Sequence, residues 1–278
     1  MSTAPKRPPF DSNRAWGDAV KLVSTNRDLL LALAGVFLVL PAFALATLLP
    51  PPQPQEEAAF EAMLATMGDY YRSNWYYLVA AALLQMIGSL AMLALFTDTR
   101  RPTVGEALGQ GFRFTPTAIA AQLILGMAIG AMVLLPVLLG GATKSPGFTA
   151  LGLIAAGGLG IWAMVRLALV TPAIVVDRLT NPLRAMERSW RLTEGNALRL
   201  LAFFVLVVIA FTVVTMVAQG ATRLVLALIA GSGPADLIAT LVSTVLQSAM
   251  SVYLVAISAA CHRQLSGPSV QSTVDKFE

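Results

Sequence analysis

Six stretches of this chain run almost without a polar interruption: residues 29–49, 75–96, 117–139, 148–170 (extending to 176), 198–217 and 237–260. Each is long enough to cross a bilayer core of about 30 Å, which takes roughly 20 apolar residues as helix. The runs are continuous. A membrane β-barrel strand alternates apolar and polar residues over about 10 positions, so a barrel is excluded. The pattern predicts an all-α, polytopic membrane bundle of about six transmembrane helices. Residues 1–10 read as a disordered arm, 11–265 as the membrane domain and 266–278 as a disordered tail.

A second pattern precedes spans one, three and five. Before the fifth span, Leu183, Met186 and Trp190 share one helical face, and Arg184, Arg188 and Arg191 lie on the other. Asn181 can cap this helix, and Pro182 suits its first position. Before the third span, Thr103 and Glu106 have capping-box spacing, and Val104, Leu108 and Phe112 form a face. Before the first span, Trp16, Ala19 or Val20, and Val23 do the same, with Arg14 and Lys21 elsewhere on the helix. Basic amphipathic helices of this kind lie in the membrane interface. Gly105-Glu106-Ala107 echoes Gly17-Asp18-Ala19, and Arg and Thr follow Ala107 at the spacing they keep after Ala185. The pattern suggests one unit used three times: surface helix, span, outer loop, span.

The outer loops read differently. Pro50, Pro51 and Pro52 end the first span. Phe60, Met63, Leu64 and Met67, with Glu56, Glu57 and Glu61 nearby, suggest an acidic surface helix. Tyr70, Tyr71, Trp75, Tyr76 and Tyr77 form an interfacial aromatic belt. Residues 224–230 are apolar but too short to span, which suggests a re-entrant or interfacial piece.

Composition agrees with a membrane chain. It is 56% hydrophobic and 12% charged, with mean hydropathy +0.72. Soluble domains average about 25% charged residues, and disorder needs low hydrophobicity, so both are excluded. A net charge of +4 is read as lipid-facing rather than as a sign of nucleic acid, because the cations are distributed by loop. Fifteen of the 19 Lys and Arg fall in the N-terminal arm, the second-to-third and fourth-to-fifth connections, and the tail. The opposite loops hold only Arg72, Lys144 and Arg223. This bias places both termini in the cytoplasm, as an even number of spans requires. Ala44-Leu45-Ala46 after a basic leader also resembles a signal-cleavage site, which would leave five spans; the leader's length and mixed charge argue against it.

Chemistry-bearing residues are few. Arg166 is the charge well inside a span, and such a charge either contacts a substrate or lipid headgroup or snorkels to the interface. Thr240, Thr244, Gln247, Ser248, Ser251 and Ser258 form a polar stripe on the last span, fit for a water-lined path or for helix packing. Gly126 and Gly130, and Ala156 and Gly160, have small-xxx-small spacing that lets helices approach closely. Asp98 and Asp177 stand beside Arg100 and Arg178, as for local ion pairs. The span cores lack Asp, Glu, Lys and His, so no acid–base set is expected. Single residues of cysteine (Cys261) and histidine (His262) exclude an internal disulfide and fall short of a metal's ligand count. No phosphate-binding glycine motif is present, and no cofactor is expected.

The segment from Arg166 through Pro172, Asp177 and Arg178, and then Pro182, Ala185, Ser189-Trp190-Arg191-Leu192-Thr193, Gly195 and Asn196, resembles the membrane domain placed ahead of some bacterial glycerophosphodiester phosphodiesterases and its stand-alone relatives. The resemblance implies a multi-pass protein of the bacterial inner membrane. The hydrolase half of such fusions is a soluble barrel of about 250 residues, and the chain ends at Glu278, so no catalytic residue carries over.

Two functions fit these residues. One is a non-enzymatic scaffold or accessory subunit that binds anionic headgroups on the cytoplasmic face, another membrane protein or a second copy of itself. Its contacts would be Arg184, Arg188, Trp190 and Arg191. The other is a transporter or flippase-like protein for a lipid or small amphiphile, using Arg166 and Gln247 in a cavity. An intramembrane enzyme is disfavoured by the missing titratable groups.

Overall fold

A computed structural model describes residues 10–52, 60–97, 103–229 and 232–267. Within them the chain is helical apart from short turns and connections, and contains no strand. Six helical segments are long and apolar enough to cross a membrane: Arg27–Leu48, Ala62–Thr97, Val104–Ala142, Pro146–Val176, Ala197–Leu226 and Asp236–Ser266. Each contains most or all of one predicted run. The helices extend further than hydropathy indicated, because a helix does not stop where its side chains become polar.

Helix α1 (Ser12–Thr25) opens on Asp11, whose carboxylate accepts hydrogen bonds from the Asn13 and Arg14 amides. The first span consists of α2 (Arg27–Ala34), a π-helical turn (Gly35–Val39) and α3 (Leu40–Leu48). Pro41 lacks an N–H and crowds the carbonyl four residues back, so the widened turn just before it has a local cause. Helix α4 (Phe60–Thr97) absorbs both the predicted acidic surface helix and the aromatic belt. Glu56 and Glu57 lie outside the described residues. The Tyr70 hydroxyl donates to the Leu49 carbonyl at 2.8 Å, capping the end of α3.

Helix α5 (Val104–Ala142) starts at the expected Thr103–Glu106 capping box and runs unbroken into the span. The separate surface helix expected there is therefore its first turns. The buried face is Ala107, Gly111 and Phe114, whereas Phe112 is 59% exposed. Helix α6 (Pro146–Arg166) ends inside the fourth span, and α7 (Val170–Val176) resumes after three residues. Helix α8 (Pro182–Leu192) is capped by Asn181 as expected. Helices α9 (Ala197–Ile229) and α10 (Ser232–Ser266) form the last hairpin, and the piece at 224–230 expected to be re-entrant or interfacial continues α9 as far as Ile229.

α10 is the hub, packing against α1, α3, α4, α7, α8 and α9. The core is concentrated at the basic end of the bundle. Residues 90–96 of α4 are all buried, which a helix achieves only when neighbours surround it. Residues 172–175 of α7 and 259–262 of α10 are buried beside them. The far halves of α5, α6 and α9 instead present large apolar side chains outward, such as Leu138, Ile154 and Met216. A bilayer satisfies that surface and water does not.

The proposed repeat has a physical counterpart. Ala19, Ala107 and Ala185 are each 0% exposed. Four residues on, Gly111 lies so close to α4 that an added Cβ would sit 2.9 Å from the Ile87 carbonyl oxygen. Ser189, at the matching place on α8, bonds the backbone at the α6–α7 break. α5 and α8 thus lay small residues on the backbone of the span before each, whereas α1, which no described span precedes, packs chiefly on α10.

The small-residue pairs read from sequence behave differently. Gly126 and Gly130 face open space, with nothing within 4 Å of an added Cβ, and so does Gly160, although it and Ala156 are buried. Close helix approach occurs instead at Gly140 against Thr149, Gly152 against Pro136 and Gly88 against Phe37.

Candidate functional site: a tryptophan-stacked arginine and a polar cavity

The interruption at residues 167–169 frees backbone groups that a continuous helix would pair. α8 satisfies them. The Ser189 hydroxyl donates to the Arg166 carbonyl at 2.8 Å and accepts from the Leu169 amide at 3.2 Å. The Thr193 hydroxyl lies 3.3 Å from the same carbonyl. One turn away, the Asn196 side chain accepts from the Phe10 amide at 3.0 Å, and the Phe10 ring lies 5.5 Å from Phe203. Phe10, grouped with the arm by pattern, is thus anchored to the bundle. The arm before it and the tail after Gly267 lie outside the described residues.

Arg166 does not snorkel. It is 8% exposed, and its guanidinium carbon lies 4.4 Å from the Trp190 ring centre and 5.7 Å from that of Trp162. The two indoles meet edge to face at 4.7 Å. Arg166 Nε is buried without a hydrogen-bond acceptor, and no carboxylate pairs with this side chain among the described residues. Stacking on indole suits a weakly hydrated, planar cation, but its N–H donors still lack an anion.

Asp177 forms a separate cluster. The expected pairing with Arg178 does not occur. Arg178 takes a left-handed conformation at φ 51° and is exposed. Asp177 Oδ2 instead accepts from Arg188 Nε at 2.9 Å and lies 3.3 Å from His262 Nε2. Burial works to raise the Asp177 pKa, but the hydrogen bonds with His262 and Arg188 outweigh it and hold the carboxyl below its ordinary range. Asp98, Arg100 and Arg101 lie outside the described residues.

The other predicted contacts separate. Arg184 is exposed, and Arg191 pairs with Glu187 one turn back. Leu183 is exposed, whereas Ala185, Ser189 and Leu192 form the face turned into the protein. Gln247 is exposed on α10 and does not approach Arg166 in any cavity described. Most hydroxyls of the polar stripe bond their own helix: Thr240 to Asp236, Thr244 to Thr240, Ser251 to Gln247, Ser258 to Val255.

Sequence reasoning missed a half-open cavity of about 420 Å³ bounded by α4, α5, the α6–α7 connection, α7 and α10, at whose rim Gln122 is exposed. Gln85, Ser89, Gln122, Thr171 and Ser258 bring polar groups to it, set among Met86, Leu93 and Leu254. Gln85 and Gln122 were legible as polar breaks in apolar runs, but nothing in the chain showed that they share a space.

A bundle of six helices long and apolar enough to cross a membrane defines a multi-pass α-helical membrane protein. The chain belongs to the family described as a domain of unknown function (DUF7847), which it matches over residues 14–265. No curated protein and no solved structure matches it.

Proposed function

We propose that the chain is a non-enzymatic integral membrane protein, a scaffold or accessory subunit that holds anionic lipid at the basic end of its bundle. The reading places it in the cytoplasmic membrane of a bacterium, with both termini in the cytoplasm. The charge bias supports the orientation. The likeness of residues 166–196 to the phosphodiesterase-associated membrane domain supports the bacterial setting.

Arg166 is the observation that carries the proposal. A buried cation without a counter-ion costs several kcal/mol, and cation–π stacking offsets about 2 kcal/mol. A lipid phosphate approaching Arg166 beside the Trp162–Trp190 pair would supply the missing acceptor. Exposed Arg184 stands on the same helix as Trp190 to draw in an anionic surface.

The test is lipid retention from nanodiscs mixing phosphatidylglycerol and phosphatidylcholine. The parent should keep phosphatidylglycerol preferentially, and Arg166→Gln should lower that preference at least fivefold without lowering the unfolding temperature. Equal retention by parent and variant would refute it.

A second reading, a transporter for a lipid or small amphiphile, draws support from the half-open polar cavity between α4, α5 and α10. It predicts that reconstituted protein moves fluorescent lipid between leaflets, and that filling the cavity stops this. A scaffold moves none.

A further inference from the structure

The cleft between α4, α5, α7 and α10 is half open, with Gln122 exposed at its rim and Gln85 and Thr171 half-buried, and it offers a place distinct from the phosphate expected at Arg166. Its depth follows from helix geometry. Gln85 stands about 18 Å from Thr97, and Leu254 about 18 Å from Ser266, at ~1.5 Å rise per residue. That is near the middle of a hydrocarbon core of about 30 Å. There, an unpaired carboxamide costs several kcal/mol. Yet Gln85, Gln122 and Thr171 make no side-chain hydrogen bond to any described residue.

The cavity wall specifies what fits. No charged side chain lines it, so an ionised ligand would be desolvated without a counter-ion. Ser89 and Ser258 already donate their protons to the Gln85 and Val255 carbonyls, at 2.8 Å each. Their oxygens remain free only to accept. The two carboxamides both donate and accept. The wall therefore favours a ligand that carries donors, such as a hydroxyl or an amide, and no charge. The apolar remainder suits an acyl chain, and the volume falls within the ~300–1,000 Å³ of small-molecule sites.

We infer that this cavity is a binding site for the uncharged, hydroxyl- or amide-bearing head of a neutral amphiphile. Gln85 and Gln122 are its principal recognition groups.

A diazirine-bearing monoacylglycerol, photolysed with the full chain in nanodiscs and mapped by peptide mass spectrometry, tests this. Labelling should centre on the walls of α4, α5 and α10. Unlabelled monooleoylglycerol should compete at least tenfold better than oleate. The double variant Gln85→Leu with Gln122→Leu removes polarity at similar volume, and Ala118→Phe fills the space. Each should cut labelling at least tenfold, whereas Arg166→Gln should leave it unchanged. Unfolding temperatures confirm that the variants are folded, and Thr171→Val supplies a milder change if either is not, with an expected threefold loss. Labelling spread over the outward faces of α5 and α9, equal competition by oleate, or labelling indifferent to these variants would overturn the assignment and leave only bound water in the cavity.

Discussion

Replacing Ser189 with alanine removes one hydroxyl and breaks its bonds to two backbone groups. Ser189 is fully buried, so water cannot take its place. The Leu169 amide, whose bond to that hydroxyl is 3.2 Å, loses its acceptor. A buried donor left unpaired costs about 1–3 kcal/mol. The Arg166 carbonyl loses a 2.8 Å bond but keeps the Thr193 hydroxyl at 3.3 Å, so its share is about 0.5–1 kcal/mol. Together the change should destabilise the protein by about 1.5–4 kcal/mol. At 2–4 °C per kcal/mol for a chain of this size, thermal unfolding in detergent should fall by roughly 3–16 °C. The indole environment should shift in the same experiment, because Trp190 follows Ser189 and stacks on Arg166. Thr66→Ala is the matched control. That exposed hydroxyl bonds only its own helix at Ala62, and its loss should stay within about 0.5 kcal/mol. If Ser189→Ala unfolds with the parent, α8 does not hold the break in the fourth span, and the account of the basic end fails.

Two further outcomes follow from the packing. Asp177→Asn should cost about 1–3 kcal/mol at neutral pH, since it strips the carboxylate from Arg188 and His262. The folded-state pKa is lowered, so the carboxylate's contribution is intact above the ordinary value of 3.8 and is lost as pH falls through the folded value. The gap in unfolding temperature between parent and variant should hold from pH 7 to about 4 and close only below that; a gap that closes near pH 6 would assign it to another group. Gly140→Val should force α5 and α6 apart at Thr149 and cost about 1–3 kcal/mol, while Gly126→Val, which points into open space, should stay within about 0.5 kcal/mol. Chemical denaturation in mixed micelles distinguishes the two, and the reverse order would contradict the helix contacts described.

Much of the fold was legible because its signals are local. Continuous apolar runs gave six spans, and caps at Thr103 and Asn181 gave helix starts, since each depends on residues a few positions apart. Where locality failed, the errors have one origin. Hydropathy marks the polarity of a segment rather than the end of its helix, so the first turns of α4 and α5 read as separate elements. Spacing shows which small residues share a face but not what that face meets. Gly126 and Gly130 had the better motif, yet Gly140 and Gly152 make the contacts.

The sequence alone determined the solvent of this protein. A chain with 12% charged residues and six long apolar runs satisfies its backbone in hydrocarbon only as helices. Tertiary structure decided the chemistry of the interior. Asp177 and His262 are 85 residues apart and Arg166 and Trp190 are 24 apart, and only packing could pair them or gather Gln85, Gln122 and Thr171 around one space. Helix formation is specified by neighbours along the chain, whereas a site is specified by which helix faces meet, and an apolar run carries little information about that.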